Sequence, residues 1–396
     1  MVNKPVFMDN QSTTRVDPRI VEAMLPYFSE CYGNAGSTSH AFGWDAKNAV
    51  DDARSAIATA LNASARSIVF TSGATESNNL ALHGTLQRTK SKGQHIVCSR
   101  TEHKAMIDPI ARLEKRGMPV TWLDVNRNDA PEAGRISAAT VIDALRDDTV
   151  FVSLMLANNE VGVIQPLGEI AEVCRQREIV LHTDATQAVG KIHIDLAELG
   201  VDLMSFSAHK IYGPKGVGGL FVRRAKHVRL ESQIEGGGQE RGLRSGTLNV
   251  PGIVGFGNAV SLAVEEIDSE TARIAKLRNR LFEGLSQSVP KLTLNGPALD
   301  DPFLRLAGNL NCGFHDVDGE ALMMSMADLA VSSGSACTSA NPEPSHVLRS
   351  LGLSDDQTRA SLRFGLGRFN TLEEVEFAIQ CVSEAVQRLR KMSGTQ

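Results

Sequence analysis

The chain has 396 residues, and its 41 Lys and Arg against 46 Asp and Glu leave a formal net charge of −5. At about 100–200 residues per domain, this length predicts two or three domains around a large core. The mild negative balance, with the signs interspersed, gives no electrostatic reason to expect a nucleic acid or an anionic membrane as partner. No apolar run approaches the ~18–20 residues of a membrane span, and the N-terminal residues lack the pattern of a signal peptide or presequence. The sequence therefore predicts a soluble, cytoplasmic, globular protein.

Short β-branched runs alternate with helical patterns through the middle of the chain, which is typical of βα units that build a mostly parallel sheet. Apolar residues at Val50, Ala53, Ile57 and Leu61 repeat at helical spacing and predict a helix over 46–61. The predicted strands are 67–71, 95–99, 150–156, 179–183, 202–206 and 219–222.

The pattern changes after about residue 265, where a long helical stretch at 263–288 precedes loops and mixed short elements. Near the end, Thr371 and Glu374 form a capping box that opens a last amphipathic helix. We therefore predict a large α/β domain at 17–264 and a smaller α+β domain at 265–396. Residues 1–16 are expected to pack on the smaller domain, because they are too few to fold alone.

Polar side chains follow five of the predicted strands. In open α/β sheets, ligands bind beyond the carboxyl ends of the strands, so these side chains are expected to meet at one edge. Five such clusters predict a bound polar ligand. They are Ser72, Thr75 and Glu76; Thr101, Glu102 and His103; Asn158, Asn159 and Glu160; Asp184, Thr186 and Gln187; and Ser207, His209 and Lys210.

The small-residue turn at 72–75 opens a helix, and the N–H groups of such a turn favour a phosphate. An ordinary N-cap explains that turn equally well. No GxxxxGK[ST] occurs there and no GxGxxG follows a predicted strand, which argues against nucleotide binding by those motifs.

Asp184 closes a nearly all-apolar strand, so its carboxylate needs a cation, and Lys210 follows the next strand. A phosphate cradle, a buried carboxylate and a lysine on neighbouring strand ends match what pyridoxal 5′-phosphate requires. The lysine forms a Schiff base, the carboxylate keeps the pyridine nitrogen protonated, and the helix end binds the phosphate.

The six cysteines show no CxxC spacing, so zinc-knuckle and thioredoxin-type sites are not predicted, and no metal site is expected. Free thiols in a reducing compartment are the expected state. Cys337 differs from the rest because it lies in SSGSACTSA, a run of small residues that predicts an exposed loop. The other five lie in or next to apolar patterns and are predicted to pack: Cys31, Cys98, Cys174, Cys312 and Cys381.

In order and spacing, eight segments resemble the cysteine desulfurases, the NifS/IscS-like branch of the class V aminotransferases. The resemblance runs from about Asp9 to about Val386. It implies a pyridoxal 5′-phosphate-dependent transferase of fold type I, which is α/β with a mostly parallel seven-stranded sheet and a smaller α+β C-terminal domain that carries the cysteine loop. The segments are TSGATESNN (71–79), TEHK (101–104), NNEVGV (158–163), HTDATQAVG (182–190), SFSAHKIYGPKGVGG (205–219), GGGQERGLRSGT (236–247), SSGSACTSA (332–340) and SLRFGLGRF (361–369).

The resemblance also implies residue roles. Lys210 would carry the cofactor, His103 would stack on its ring and serve as acid and base, and Cys337 would be the nucleophile. Asn34 and Arg363 would bind the substrate carboxylate. The remaining implied cofactor contacts are Asp184 at the pyridine nitrogen, Gln187 and Asn159 at the phenolic oxygen, and Ala74, Thr75, Ser207 and His209 at the phosphate, with Thr247 supplied by the second subunit of a homodimer.

These roles imply conversion of L-cysteine to L-alanine, with the sulfur transferred to Cys337 as a persulfide for iron–sulfur cluster assembly or other thio-cofactors. The acceptor would be an iron–sulfur scaffold or a sulfur relay. Housekeeping relatives carry a longer C-terminal tail that helps to dock the scaffold, so the sequence leaves the identity of the sulfur acceptor open.

A selenocysteine lyase or another class V enzyme is the alternative function, and the length and composition of 332–340 favour the desulfurase. A non-enzymatic sulfur carrier would require loss of a cofactor residue, and none is lost.

Overall fold

The computed structural model describes residues 2–89, 93–333 and 343–394, so Cys337 lies outside the described residues. The strands in these residues are β1 Val6–Phe7, β2 Ile68–Thr71, β3 His95–Ser99, β4 Val120–Leu123, β5 Thr149–Ser153, β6 Val180–Asp184, β7 Leu203–Ser207, β8 Gly218–Val222, β9 Leu292–Leu294, β10 Asn309–Phe314, β11 Leu329–Ala330, β12 Ser332–Ser333 and β13 Ser361–Gly365. The α-helices are α1 Pro18–Met24, α2 Pro26–Ser29, α3 Ala41–Ala60, α4 Ala74–Thr89, α5 Lys104–Glu114, α6 Ala138–Ala144, α7 Leu167–Gln176, α8 Leu196–Leu199, α9 Val250–Glu265, α10 Ile267–Ser288, α11 Gly319–Met324, α12 His346–Ser350, α13 Asp355–Arg359 and α14 Leu372–Ser393.

Seven strands form the large sheet, in the order β2-β8-β7-β6-β5-β3-β4. The five strands from β7 to β4 are parallel, and β8 runs antiparallel to both β7 and β2. The predicted mostly parallel seven-stranded sheet is therefore confirmed. The edge strand β4 was missed from the sequence, because its half-buried residues lack the apolar run of the central strands. The strand predicted at 150–156 ends earlier, at Ser153.

Helix α3 covers one face of the large sheet and packs against α9 through a stripe of small and β-branched residues. Ala46, Val50, Ala53 and Ile57 are buried at the helical spacing that predicted this element, and α3 begins earlier than predicted because His40 caps Gly43 N–H. The helical stretch predicted at 263–288 is found as the end of α9 followed by α10, and the two helices meet at an angle of 73°. The capping box of Thr371 and Glu374 opens α14 as predicted.

A smaller antiparallel sheet, in the order β12-β13-β10-β9, lies under α10 and α14. Its core contains Leu281, Leu310, Phe364 and Val382. Strand β1 pairs with β11, and Asp9 forms a bridge with Gly365 of β13, so the start of the N-terminal segment contacts the small sheet. Helix α12 contributes Leu348 to the core of the large sheet. The division at 17–264 and 265–396 stays a prediction.

In the described parts of the chain, no single helix has both the length and the apolar composition of a membrane span. The bent pair α9 and α10 meets those criteria only when its two helices are taken together.

A buried ion pair fixes the loop that carries Thr247. Two guanidinium nitrogens of Arg54 donate to the two carboxylate oxygens of Glu240, each at 2.7 Å, and Phe70 N–H donates to Glu240 Oε2 at 2.7 Å. Both side chains are almost fully buried. Glu240 and Arg241 adopt positive φ angles of 48° and 59°, so the network holds a strained turn against β2 and α3.

Arg54→Met should lower the free energy of unfolding by about 3–5 kcal/mol, because it leaves the buried Glu240 carboxylate without its cation. The matched control is Arg280→Met, which breaks the exposed, equally bidentate pair with Glu376 and should cost about 0–1 kcal/mol. Denaturant unfolding of both variants measures the difference. Equal losses would contradict the importance of the buried pair.

Candidate functional site

A cavity of about 700 Å³ lies at the carboxyl edge of the large sheet, and its volume is typical of a small-molecule site. It is closed by residues 11–13 of the N-terminal segment and by residues 343–346. The structure brings ten of the predicted site residues to the lining of this cavity. They are Ala74, Thr75, His103, Asn159, Asp184, Gln187, Ser207, His209, Lys210 and Arg363.

The predicted phosphate cradle is the turn that opens α4. Gly73 has φ +153°, a conformation that disfavours any side chain, and a β-carbon on Gly218 would lie 2.6 Å from Gly73 Cα. Glycine at both positions therefore lets the turn approach β8 closely. Glu76 accepts hydrogen bonds from Ser72 N–H at 2.9 Å and from Arg244 Nε at 2.9 Å, which fixes the first helical turn.

Asp184 ends β6 and is 3% exposed. Asn78 Nδ2 donates to its Oδ2 at 2.7 Å, and Thr186 N–H donates to its Oδ1 at 2.9 Å. The carboxylate therefore has a fixed orientation at the strand end. Asn78 was missed from the sequence, although it lies within the TSGATESNN segment on α4.

His103 is the N-cap of α5, and its Nδ1 accepts a hydrogen bond from Ala105 N–H at 3.0 Å. Burial lowers the pKa of His103 below its usual value, with Asp184 opposing the shift and Lys210 adding to it. The ring is therefore neutral at pH 7, and its proton is on Nε2 because Nδ1 is the acceptor.

Lys210 lies in a short 3₁₀ turn after β7, and its Nζ donates to Gln11 O at 2.6 Å and to Ser12 O at 2.5 Å. Gln187 Nε2 donates to the same Gln11 oxygen at 2.8 Å. His209 Nδ1 lies 3.1 Å from Thr13 Oγ1. Burial, with Lys210 close by, lowers the pKa of His209 to about 4, so this ring is neutral at pH 7.

Arg363 projects from β13 and is 2% exposed. Its Nη2 donates to Asp9 Oδ1 at 2.8 Å and its Nη1 donates to Asn159 O at 3.1 Å. In the described part of the chain its buried Nε has no hydrogen-bond partner. The guanidinium therefore keeps donor capacity for a second carboxylate.

The residues present fit pyridoxal 5′-phosphate. A fixed, buried carboxylate ends β6, a lysine amine follows the adjacent strand β7, and a helix start lies beside Ser207. Thr186 lines the cavity, and its buried Oγ1 has no hydrogen-bond partner among the described residues. Such an unpaired group is costly to bury, which favours a polar ligand at this place.

Two predicted residues that the structure describes, Asn34 and Thr247, do not line the cavity of their own chain. Asn34 is exposed, and its Oδ1 accepts a hydrogen bond from Gly36 N–H at 2.8 Å. Thr247 is exposed on the loop before α9. Cys337 lies outside the described residues. Its flanks reach the site, because β12 pairs with β13 at Arg363 and Ser345 Oγ donates to the buried Glu160 carboxylate.

The other cysteines are free thiols in the structure. Cys98, Cys174 and Cys312 are buried, which confirms the packing prediction for them, and burial raises the pKa of the Cys174 and Cys312 thiols to about 12. Cys381 is half-buried against the core of the small sheet. Cys31 is half-buried and belongs to neither sheet's core, so the packing prediction is not supported there.

Sequence reasoning missed the N-terminal segment as part of the site. The available signal was the polar run NQSTT at 10–14, which separates the apolar β1 from α1. It also missed Lys191, which donates to Gln187 Oε1 at 2.7 Å.

A family model for Aminotransferase class-V matches residues 6–377. The chain is 54% identical over 389 residues to the cysteine desulfurase IscS of Anaeromyxobacter dehalogenans (strain 2CP-C), covering 98% of this chain and 94% of that protein. A solved NifS-like protein superposes with a TM-score of 0.88 at 35% identity, covering 97% of this chain and 100% of that one. SspA in complex with cysteine gives a TM-score of 0.80 at 34% identity, covering 93% and 100%.

Glu102 lies beside the site and is fully buried, with its Oε1 accepting from Met155 N–H. Burial, and then the nearby Asp184, raise the pKa of Glu102 to about 8 from the ordinary 4.5. Between those two values the folded protein holds a proton that the unfolded chain has released. Stability therefore falls as pH rises across that window.

Glu102→Gln mimics the protonated acid, so its thermal midpoint should rise relative to wild type as pH increases from about 5 to about 8. Thermal unfolding of both proteins across that range measures the difference. Glu283→Gln, at an exposed position on α10, is the control and should give a flat difference. A pH-independent difference for Glu102→Gln would show that this carboxyl is ionised in the folded protein.

Proposed function

The chain belongs to the class-V aminotransferase family and to its cysteine desulfurase branch, and on that premise we propose that its cavity binds pyridoxal 5′-phosphate and converts L-cysteine to L-alanine. The fold is the predicted fold type I of such transferases. The observation that carries the proposal is the pairing of a buried, oriented carboxylate on β6 with a lysine directly after β7. These are the two groups that the cofactor's ring and aldehyde require.

Asp184 would hold the pyridine nitrogen, Lys210 would anchor the aldehyde carbon, and Gln187 with Asn159 would contact the phenolic oxygen. Ala74, Thr75, Ser207 and His209 would bind the phosphate. When bound, the cofactor supplies an electron sink that weakens the bonds to the substrate's Cα and Cβ.

Lys210 would remove the Cα proton of the substrate, since its amine lies where the cofactor is anchored. Arg363 would orient the substrate through its carboxylate, using the donor capacity left beside Asp9 and Asn159. Neutral His103, with its proton on Nε2, would stack on the ring and donate or accept protons.

Cys337 would accept the sulfur of the substrate. Its thiolate would attack the substrate sulfur, so that the S–S bond forms as the Cβ–S bond breaks and the electron pair returns to the carbon side. Cysteine plus the Cys337 thiol then gives alanine plus a persulfide on Cys337, with no external oxidant. Cys337 follows Ser333 by four residues, and a fully extended chain of that length spans at most about 14 Å. Ser333 is in β12, whose Ser332 pairs with Arg363 of β13. This supports the proposal that Cys337 can reach the cavity.

A homodimer is part of the proposal. Large apolar side chains are exposed on consecutive elements from α1 to α3, and the rings of Tyr32 and Phe42 are in contact at a tilt of 34°, with their centroids 5.4 Å apart. We name these residues the aromatic patch: Val21, Leu25, Phe28, Tyr32, Phe42 and Trp44. Thr247 is exposed and outside its own cavity, which supports its delivery to the partner's phosphate site.

The persulfide sulfur would pass to an acceptor protein, either an iron–sulfur scaffold or a sulfur relay, in the cytoplasm. Co-purification followed by mass spectrometry of the bound proteins identifies that acceptor.

Cys337→Ala should abolish sulfide release from L-cysteine while leaving the visible absorbance of the bound cofactor unchanged, because only the sulfur nucleophile is lost. Alanine formation and sulfide are assayed together with the absorbance spectrum. Cys381→Ala, at a half-buried cysteine of the small sheet, is the control and should keep wild-type rates. Sulfide release that survives in Cys337→Ala would remove Cys337 from its role. Turnover of selenocysteine but not of cysteine by the wild type would favour the lyase alternative.

Trp44→Glu should convert the dimer to monomer and weaken cofactor binding, because a charge in the aromatic patch opposes association and the partner's Thr247 is then lost. Light scattering gives the mass, and titration of the cofactor-free protein gives the Kd. Phe303→Glu replaces an exposed aromatic in the loop before β10 and should leave the mass and the Kd unaltered. A wild-type protein that is monomeric at working concentration would contradict the dimer.

A further inference from the structure

Lys191 is connected to the cofactor site indirectly, through a hydrogen bond to Gln187. Its Nζ donates to Gln187 Oε1 at 2.7 Å, and Gln187 Nε2 donates to Gln11 O at 2.8 Å. Gln187 lines the cavity and is 3% exposed. Both ends of a buried amide are therefore held, one by Lys191 from outside the cavity lining and the other by the carbonyl of Gln11 within it.

The backbone is built to bring Lys191 to this place. Gly190 precedes it with φ +70°, and a β-carbon there would lie 2.6 Å from Ala263 Cβ of α9. Only glycine permits both the turn and the close approach to α9. Lys191 N–H then donates to Ala188 O at 3.0 Å, which closes the turn that begins just after Gln187.

An amide side chain has one acceptor oxygen and two N–H donors, and it can be placed either way round in a pocket of its shape. A lysine ammonium can only donate, so protonated Lys191 places the oxygen of Gln187 on its own side. Gln11 O, which can only accept, holds one N–H on the other side. One N–H of Gln187 remains for a ligand, and the ligand atom that it meets must be an acceptor.

We propose that Lys191 is a positioning residue that fixes the orientation of the Gln187 amide, so that Gln187 presents an N–H to the phenolic oxygen of the cofactor. This inference rests on the proposed function, because it assigns the Gln187 ligand to pyridoxal 5′-phosphate. Without Lys191, Gln187 Oε1 loses its donor and only the Gln11 carbonyl orients the amide, so an orientation with the oxygen towards the anionic phenolic oxygen is less disfavoured.

The contact does not depend on the charge of Lys191. Burial, with Lys210 and Arg363 adding repulsion, lowers the pKa of Lys191 to about 7. A neutral amine keeps two N–H donors, so it can still donate to Gln187 Oε1, but its lone pair can also accept. Above that pKa the Gln11 carbonyl, which can only accept, is the group that keeps Gln187 Nε2 on its side.

The test is a double-mutant cycle read on the cofactor rather than on turnover. Lys191→Met keeps the length of the side chain and removes every donor. It should raise the cofactor Kd roughly tenfold, the value of one charge-assisted hydrogen bond. The pH midpoint of the visible absorbance change should rise by about one unit, because a hydrogen bond to the anionic oxygen is lost. In the Gln187→Leu background, Lys191→Met should change the Kd by less than about twofold.

Lys215→Met is the matched control, since it removes a lysine charge from the cavity lining outside the Gln187 hydrogen-bond chain. Its effect on the Kd should be equal with and without Gln187. Equal effects of Lys191→Met in both backgrounds would overturn the proposal and leave Lys191 as a local charge. If Lys191→Met does not purify folded, Lys191→Ala gives the same cycle with the side chain shortened in place.

Failure of this inference is distinct from failure of the proposed function. A wild-type protein that binds no cofactor would contradict the proposed function. A protein that binds the cofactor and gives additive effects in the double-mutant cycle would contradict only the role of Lys191.

Discussion

One backbone carbonyl, that of Gln11, accepts hydrogen bonds from both Lys210 and Gln187, and the arrangement of the site follows from where that carbonyl is held. Two residues earlier, Asp9 bridges Gly365 of the small sheet and pairs with Arg363. The N-terminal segment therefore connects the edge of the large sheet to the small sheet. A shift of one sheet against the other would leave buried donors unpaired, at about 1–3 kcal/mol each. The relative position of the two sheets therefore determines the arrangement of the site residues.

The charges around the cavity favour an anionic ligand. Lys210 and Arg363 contribute cations, while the fixed carboxylate of Asp184 is the buried anion matched to a ring nitrogen. Burial raises the pKa of Glu102 to about 8 and that of Glu160 to about 7, so these two carboxyls carry much less negative charge at neutral pH than exposed ones. In the proposed function, a phosphate and a substrate carboxylate would therefore be repelled less by these two buried acids than by fully ionised carboxylates.

The sequence predicted the central strands of the large sheet, because each is a short apolar run, and their polar ends identified Asp184 and Lys210 together. It did not predict the edge strand β4, whose half-buried residues give no run. It also did not reveal Asn78, since an asparagine on a helix meets a strand end only through tertiary packing. Thr247 is a different case, because its predicted role depends on a second copy of the chain and no pattern within one chain tests it.

In the proposed function, the small sheet would determine how far the carboxylate-binding Arg363 lies from the attacking Cys337. Strand β13 carries Arg363, and β12, which leads into the cysteine-bearing segment, pairs with it in the register Ser332 to Arg363. A slip of one residue in this pairing would turn the side chains of β12 to the opposite face. On the far side of that segment, Ser345 is held by the buried carboxyl of Glu160. Both flanks of the segment are thus fixed beside Arg363 and Glu160, so an amino acid bound at Arg363, as in the proposed function, would lie within the range that the segment's length allows to Cys337.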